Sequence, residues 1–523
     1  MKKQIISNLT SNYALSFFGL ALGFFLVPFL IGKLGKAVYG IIVLTESTIA
    51  FFEIFTVSVR MALSRHATIA LSQNKMDEFI GYLSTGFRVL YFSAALVLIS
   101  GVLLSLNFPN IFKVPEGYIL ESKVHFLLIA TAFTISIPNI IYWSMLYAKQ
   151  RFDLINFSTS SGFLMRAIGI FAYYSLTPKK YATLVPYGFI FLVMTFTQNS
   201  LIYYWVKKIM PGIKISMKRF DRTKVREILS FSTHTSLTRG SQLLYENTAN
   251  IIINVFWGPS YNAIYSIALK LPAIVKRIFV EPTWTLTPTF TDLVAKNDSR
   301  KIETIVYMFS KILSIATYPI LLTLIIFSRS IITLWVGPDF IMAADLLRFY
   351  TVPLFVGIPF AFSGGILNAY AKLKAPSFVS FGTAIFNVGG CLVFGYIFSW
   401  KLYGIAFSSL LCTVVLITFY SWYFCRIAQF SLKRYWLESI IKPLALLTAI
   451  AALDFLIFKM MHLSLELNLT VSAAFVLSAS VYYVLAYCLL LRPDEKRHIG
   501  DSRQAMKECF NFQRIRLAEA SGY

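Results

Sequence analysis

The sequence predicts an all-α polytopic membrane protein of about 14 transmembrane helices, with two six-helix lobes in a pseudo-two-fold repeat and two further helices at the C-terminus. Three observations predict it. The 523 residues are 57% hydrophobic and only 14% charged, too apolar for a soluble globular protein. The apolar runs recur at about 20 residues, the length a helix needs to cross hydrocarbon. Three pairs of short segments repeat at an offset of roughly 220 residues.

The chain opens MKKQIISNLTSNYALSFFGLALGFFLVPFLI. Its apolar run is too long for the core of a signal peptide and no small-residue cleavage site follows, so a retained first span is expected. Spans are expected near 11–31, 38–59, 80–106, 124–147, 154–175 and 182–206. A basic stretch, KKIMPGIKISMKRFDRTKVR from Lys207 to Arg226, sets eight Lys or Arg against one Asp. A segment so charged cannot sit in hydrocarbon and must be a loop joining two halves, long enough to let them move. Spans resume near 229–256, 261–288, 303–327, 344–371, 376–399, 402–424, 439–459 and 467–491. The domains are therefore 1–206, an N-terminal lobe; 207–226, a basic cytoplasmic linker; 227–424, a second lobe; 425–491, two extra helices; and 492–523, a cytoplasmic tail.

Orientation follows from Lys and Arg in the connecting loops. With both termini inside, about 31 fall on the cytoplasmic side, among them Lys2, Lys3, Arg65, Lys149, Arg151, Lys296, Lys372, Arg426 and Lys433, against about nine outside. The net charge of +24 is thus topological. A nucleic-acid binder would need a basic soluble domain, and no polar segment is long enough to supply one. Cys391, Cys412, Cys425, Cys488 and Cys509 form no CxxC and have no His at metal-ligand spacing, so neither a disulfide framework, a metal site nor a cofactor is expected.

The internal repeat pairs LGKAVYGII from Leu34 with WGPSYNAIY from Trp257, NIFKVPEGY from Asn110 with TLWVGPDFI from Thr333, and IPNIIYWSMLYAK from Ile137 with IPFAFSGGILNAYAK from Ile358. Six spans separate counterparts, so the halves share one orientation and are related by an axis along the membrane normal. Pro28, Pro138, Pro282, Pro288, Pro353 and Pro359 fall inside spans, where each removes a backbone hydrogen bond and favours a kink.

Charge within a span is costly, about 2.5–3.5 kcal/mol at the bilayer centre, and therefore informative. Lys311 and Arg348 lie near span ends and are expected to snorkel. Arg88 is divided between snorkelling and lining a cavity, and Arg166 between a substrate role and pairing with Glu46 or Glu53. The signal concentrates in spans seven and eight. Arg239 stands about 16 Å into its helix, and Lys270 at similar depth from the other side. Lys270, Arg277 and Glu281 follow i, i+7, i+11 spacing, with Lys276 one position round. Span seven also carries FSTHTSLTRGSQLLYENTANIIIN, a polar run that cannot face lipid, so the two helices should line a watery cavity between the halves. The local acids Glu246 and Glu281 are too few to neutralise four cations, leaving affinity for an anionic, phosphate-bearing substrate. Glu53, Glu246 and Glu281 are the ion-coupling or salt-bridge candidates, Arg60, Arg88 and Arg166 being the partners open to Glu53. His66, His234 and His462 are isolated and are read as packing or interface positions.

The tract P-F-L-I-x-x-L-G-x-x-x-Y-G-I within Asn8 to Ile41, ALSR from Ala62 to Arg65, IYSIALKL from Ile264 to Leu271, and LWVGPDF from Leu334 followed by ADLLR resemble the polysaccharide transporter family (O-antigen and oligosaccharide-lipid flippases) of the multidrug/oligosaccharidyl-lipid/polysaccharide exporter superfamily. The resemblance implies a cationic central cavity open alternately to each side, and the residues expected to line it are Arg65, Arg88, Arg239, Lys270, Lys276 and Arg277. Through it a polyprenyl-diphosphate-linked oligosaccharide would move outward across the bacterial inner membrane for surface polysaccharide such as lipopolysaccharide. The partners implied are this substrate, membrane lipids and a proton or sodium gradient, with no nucleic acid. Within the motifs Arg65 matches a family Arg and Lys270 a commonly basic position. Ala249 stands where the family often has an acid, and TVSVRM replaces a Gly-rich turn before ALSR, which puts cation coupling through span seven in doubt. The alternative is a drug or cation antiporter of the same fold, but span one lacks an acid. An enzyme such as a membrane glycosyltransferase is not expected: the longest outer loop, about Asn107 to Lys123, is too short, and no nucleophile, base and orienter set is present.

Overall fold

The computed structural model describes residues 19–213, 215–217, 219–460 and 469–496. Lys2, Lys3, Lys214, Lys218, His462, Cys509 and most of the expected tail lie outside the described residues, as does the side chain of His234. All regular structure among the described residues is helical. The first half comprises α1 (Gly19–Leu34), α2 (Lys36–Ala50) running through a 3-10 turn into α3 (Ile54–Ser72), α4 (Met76–Ile111), α5 (Ile119–Ala148), α6 (Phe152–Leu176) and α7 (Val185–Ile209). After the linker come α8 (Arg222–Trp257), α9 (Pro259–Phe279), α10 (Thr287–Ala295), α11 (Ser299–Ile326), α12 (Ser328–Val336), α13 (Ile341–Thr351), α14 (Leu354–Gly357) and α15 (Ser363–Ala369). The chain continues with α16 (Lys374–Gly390), α17 (Lys401–Ala428), α18 (Leu432–Trp436), α19 (Lys442–Met460) and α20 (Leu469–Leu485).

Among the described residues each of the fourteen expected spans contains helix, and the protein is an all-helical, multi-pass membrane protein. Eight helical segments among the described residues are long and apolar enough to cross a bilayer, and two shorter ones are apolar as well. The rest, α2–α3, α6, α8 and α9, carry the charged and amide side chains discussed below, which is why hydropathy alone understates them.

The repeat is written into the helix caps. Gly35 (φ 84°) joins α1 to α2, and Gly258 (φ 91°) joins α8 to α9. Both need glycine, because a side chain disfavours positive φ. Asn74 (φ 57°) and Asn297 (φ 54°) end α3 and α10. In each the following amide reaches back five residues, Lys75 N to Ala70 O at 2.9 Å and Asp298 N to Leu293 O at 3.0 Å. Gln150 and Ala371 repeat the motif, with Arg151 N to Leu146 O and Lys372 N to Leu367 O both at 2.9 Å. These are Schellman caps, which satisfy carbonyls left over at a helix end.

The described residues form two compact units, one within 1–270, 332–346 and 374–416, the other within 271–331, 347–373 and 417–523. In the first, α5 packs on α4 and α7, α7 on α6, and α8 on α2, α3 and α16. Gly40 sits so close to the start of α9 that a Cβ there would fall 1.8 Å from the carbonyl oxygen of Pro259. Gly40→Ala is therefore expected to destabilise the protein by about 1–3 kcal/mol through overpacking against rigid backbone. Thermal unfolding in detergent measures this, and a wild-type midpoint would contradict it.

The second unit is built around Tyr435, fully buried, whose hydroxyl lies 2.6 Å from both Pro359 O and Ser310 Oγ and whose ring packs among Tyr307, Phe360, Phe424 and Phe430. Proline acts here in two ways. Pro138 is absorbed within a continuous α5, whereas Pro282 and Pro359 open 3-10 turns and Pro353 precedes the short α14. Lys311 corrects a sequence expectation. It does not snorkel: it is buried, with Nζ 2.9 Å from both carboxylate oxygens of Glu495. Glu495 lies 184 residues away, so no local pattern pairs them.

Candidate functional site

The first unit holds a pocket of about 600 Å³ along the seam of α3 and α5, mainly apolar in its lining but carrying two arginines, with Arg60, Met61, Ser64, Arg65, Thr68 and Ile69 on one side and Trp143 and Tyr147 on the other. Helical spacing creates it. Arg60, Ser64 and Thr68 recur every four residues and share a face, as do Trp143 and Tyr147. The two rings stack at 5.2 Å, and the Arg60 guanidinium lies over Trp143 at 5.5 Å. Ser64 Oγ meets Ser144 Oγ at 3.2 Å and closes the seam. The lining contains two cations and no acid.

A track of charge leads from this pocket. Glu53, in the turn before α3, is an electrostatic neighbour of Arg60 and accepts from Arg239 of α8 at 2.7 Å. Arg239 also donates to Gln242 Oε1 at 2.8 Å, and Gln242 to Glu246 Oε1 at 2.9 Å. The sequence suggested Arg60, Arg88 or Arg166 as the ion-pair partner of Glu53. The structure assigns Arg239, because α8 packs on α3 and brings together residues 186 positions apart. Further along α8 the amides turn inward: Asn250 donates to Ser47 Oγ at 2.8 Å, and Asn254 Oδ1 accepts from Lys113 N at 2.9 Å.

A second centre joins α2, α6 and α7. Arg166 Nη2 donates to Glu46 Oε1 at 2.8 Å and contacts the Tyr187 hydroxyl, which donates to the same oxygen at 3.0 Å. The Arg166 guanidinium also lies over the rings of Tyr187 and Phe191, at 5.1 and 5.0 Å. Of the two acids open to Arg166, the structure selects Glu46. Lys270 of α9 is an electrostatic neighbour of both Glu46 and Tyr39, so two cations gather about one carboxylate.

The remaining sequence candidates fall elsewhere. Arg88 is exposed, with its guanidinium over the Phe220 ring at 4.6 Å. Lys276 and Arg277 belong to the second unit, where Arg277 Nε lies 3.5 Å from Glu281 Oε2. The i, i+11 register to Glu281 does not continue as an α-helix, because α9 ends at Phe279 and Glu281 opens a 3-10 turn before Pro282. Among the described residues no three His, Cys, Asp or Glu group as metal ligands.

The linker is docked along α4. Ser216 N donates to Ser84 Oγ and Asp221 N to Thr85 Oγ1, both at 3.3 Å, and Tyr82 donates to Glu227. Asp221 caps α8 by accepting from Thr223 N at 2.8 Å. Lys224, 2.8 Å away, together with Thr223 holds its carboxyl well below the usual carboxylate range.

Sequence reasoning found Arg65 but missed Arg60, Trp143 and Tyr147 as pocket residues, and Tyr187 as the third member of the Glu46 centre. The i, i+4 recurrence of Arg60, Ser64 and Thr68, and of Trp143 and Tyr147, is the signal that was available.

These helices and charged centres define a multi-pass helical membrane protein with ion pairs between its helices. The chain belongs to the polysaccharide biosynthesis protein family, whose model matches residues 34–345. It is 20% identical over 449 residues to the uncharacterized membrane protein EpsK of Bacillus subtilis (strain 168), covering 84% of this chain and 86% of that protein. Its fold is similar to that of lipid II flippase MurJ in an inward closed conformation, with TM-score 0.68, 15% identity, and coverage of 92% of this chain and 97% of that one. It is similar also to an inward-facing multidrug resistance MATE family transporter of the MOP superfamily, with TM-score 0.65, 12% identity, and coverage of 82% and 99%.

Proposed function

We propose that this protein is a flippase that carries a polyprenyl-diphosphate-linked oligosaccharide across the bacterial cytoplasmic membrane by alternating access, with both termini cytoplasmic and the lobes at 1–206 and 227–424 as its moving parts. The observation that carries this reading is the acid-free pocket at Arg60, Arg65, Trp143 and Tyr147. Arginine suits a diphosphate, because its planar donors match phosphate oxygens bidentately. Aromatic faces suit the apolar faces of sugar rings. The lipid itself has no reason to enter: each CH₂ gains about 0.8 kcal/mol in hydrocarbon, so the tail stays in the bilayer while the head group takes the polar route. A cationic drug, the substrate class of the alternative antiporter, would meet like charge in this pocket. Arg239 and Lys270, of the same unit as the pocket, are proposed to line the later part of the path.

The test uses proteoliposomes containing the purified full chain and a polyprenyl-diphosphate oligosaccharide whose sugars are open to an impermeant glycosidase in one leaflet only. The expected result is time-dependent loss or gain of glycosidase access that needs the protein, with no movement of a cationic dye under an imposed ion gradient. Dye movement without head-group translocation would replace this reading with the antiporter.

A further inference from the structure

The seam of α3 and α5 that carries the pocket has a counterpart in the second unit. The repeat, offset by roughly 220 residues, matches Met61 to Trp284, Ser64 to Thr287 and Thr68 to Thr291, and in its third segment Trp143 to Gly364 and Ser144 to Gly365. The packing agrees with this register. α10 lies against α15 as α3 lies against α5. Where Ser64 meets Ser144 in the first seam, a Cβ on Gly365 would fall 2.9 Å from Thr287 Oγ1 in the second. The aromatic shelf has changed sides. Gly364 stands in the place of Trp143, and the room it leaves is filled by the indole of Trp284, from the 3-10 turn before α10, whose Cη2 would lie 3.0 Å from a Cβ on that glycine. Tyr370, the match of Tyr147, packs instead against the core around Tyr435.

The second seam has lost the charge of the first. Thr283 and Pro288 take the places of Arg60 and Arg65. Thr283 is buried, with its hydroxyl donating to Val280 O at 2.7 Å. The ions on the flanking turns pair with each other, Arg277 with Glu281 at 3.5 Å and Lys296 with Asp292 at 2.6 Å. What remains is a ring face with hydroxyls and an amide about it. Trp284 is 53% exposed. Thr285, Thr291 and Asn368 are exposed as well, and Asn368 follows Gly364 by one turn on the same face of α15. The Thr285 and Thr291 hydroxyls donate to Pro282 O and Thr287 O at 2.7 and 2.9 Å, which leaves their lone pairs to accept. Thr287 Oγ1 is buried with no hydrogen-bond partner among the described residues, at a cost of about 1–3 kcal/mol that a guest hydroxyl would return.

We propose that the α10–α15 seam binds a neutral sugar ring, with Trp284 under the apolar face of the ring and Thr285, Thr291 and Asn368 at its hydroxyls. An indole supplies a large apolar face, and a few placed polar groups fix the orientation of what lies on it. A diphosphate gains nothing here, because the arginines that would grip it bidentately have been replaced. On the reading that the substrate is a lipid-linked oligosaccharide, on which this site depends for its ligand, phosphate and sugar are recognised by different seams.

The test irradiates the full chain in lipid nanodiscs with diazirine-bearing glycosides of two neutral trisaccharides, maltotriose and chitotriose; loss of N₂ leaves a carbene that inserts into a neighbouring bond to hydrogen. Peptide mass spectrometry reads the adducts. The expected result is labelling within 281–292 and 363–370 by at least one trisaccharide, lowered several-fold by excess unlabelled sugar and by Trp284→Ala. Trp284→Tyr, which keeps a ring, should retain most of it. Gly364→Ala, which displaces the indole without removing it, should lower it, and unfolding midpoints separate these effects from loss of fold. A parallel sample carries the diazirine on the acyl chain of phosphatidylcholine. Lipid adducts at Trp284 without sugar adducts would make the residue a membrane anchor and overturn the proposal, as would sugar adducts indifferent to excess sugar and to Trp284→Ala. Arg60→Ala/Arg65→Ala tells the two readings apart. It should stop head-group translocation while leaving trisaccharide labelling unchanged, so failure of the diphosphate pocket and failure of the sugar seam give different results.

Discussion

Replacing Arg60 and Arg65 together with alanine is expected to slow head-group translocation by at least about a hundredfold. A hydrogen bond to a charged group contributes about 1.5–3 kcal/mol, and about 1.4 kcal/mol is tenfold in rate. Each single variant should therefore lose about ten- to a hundredfold, and the pair somewhat less than the product, because both side chains line one pocket. Lysine at either position keeps the charge but loses the planar fork, so partial activity is expected. Trp143→Ala should act in the same direction, since it removes both a stacking face and the ring beneath Arg60. Initial rates in proteoliposomes, at matched protein content and with unfolding midpoints recorded, measure all of these. A double variant that transports at the wild-type rate would show that the pocket does not hold the substrate.

The fold was largely legible in the sequence because its governing constraint is local. Hydrocarbon demands about 20 apolar residues per helix, so most spans declare themselves within their own windows, α2–α3, α6, α8 and α9 being the exceptions. The repeat was legible in three paired segments, among them the glycine junctions at Gly35 and Gly258. It was hidden at Asn74 and Asn297 and at Gln150 and Ala371, where the same Schellman cap is built by residues common elsewhere. Charge pairing was the least legible part. Arg166 lies 120 residues from Glu46, Arg239 lies 186 from Glu53, and Lys311 lies 184 from Glu495. Each pair depends on which helices pack together, which composition does not encode. The linker shows the same limit. Its charge predicts a loop throughout, whereas Lys207 and Lys208 end α7 and Arg222, Lys224 and Arg226 open α8; its docking on α4 arises from Ser84, Thr85 and Tyr82, polar residues in the first turns of a helix that otherwise reads as a plain span.

The Glu46 centre yields an ordering of variants that no tally of contacts would give. Arg166 and Lys270 both act on the Glu46 carboxylate, Arg166 the more strongly. Removing the acid therefore leaves two cations facing each other in a poorly solvated site, whereas removing Arg166 leaves Glu46 with Lys270 as a counter-charge. Glu46→Gln is expected to destabilise the protein by about 2–3 kcal/mol, near the insertion cost of an unpaired intramembrane charge. The cost stays at that level because the Glu46 side chain is 44% exposed and the Arg166 side chain 21%, so relief by solvent is partial. Arg166→Gln should cost only about 1 kcal/mol, and adding Lys270→Gln to it should cost more than Lys270→Gln alone, because the substitute counter-charge is then lost. In the double variant Glu46→Gln/Arg166→Gln part of the loss should return, giving a coupling energy of about 1–2 kcal/mol. Thermal unfolding in lipid nanodiscs reads the whole cycle. If Glu46→Gln proves no worse than Arg166→Gln, Lys270 does not share the carboxylate and the centre is a simple pair.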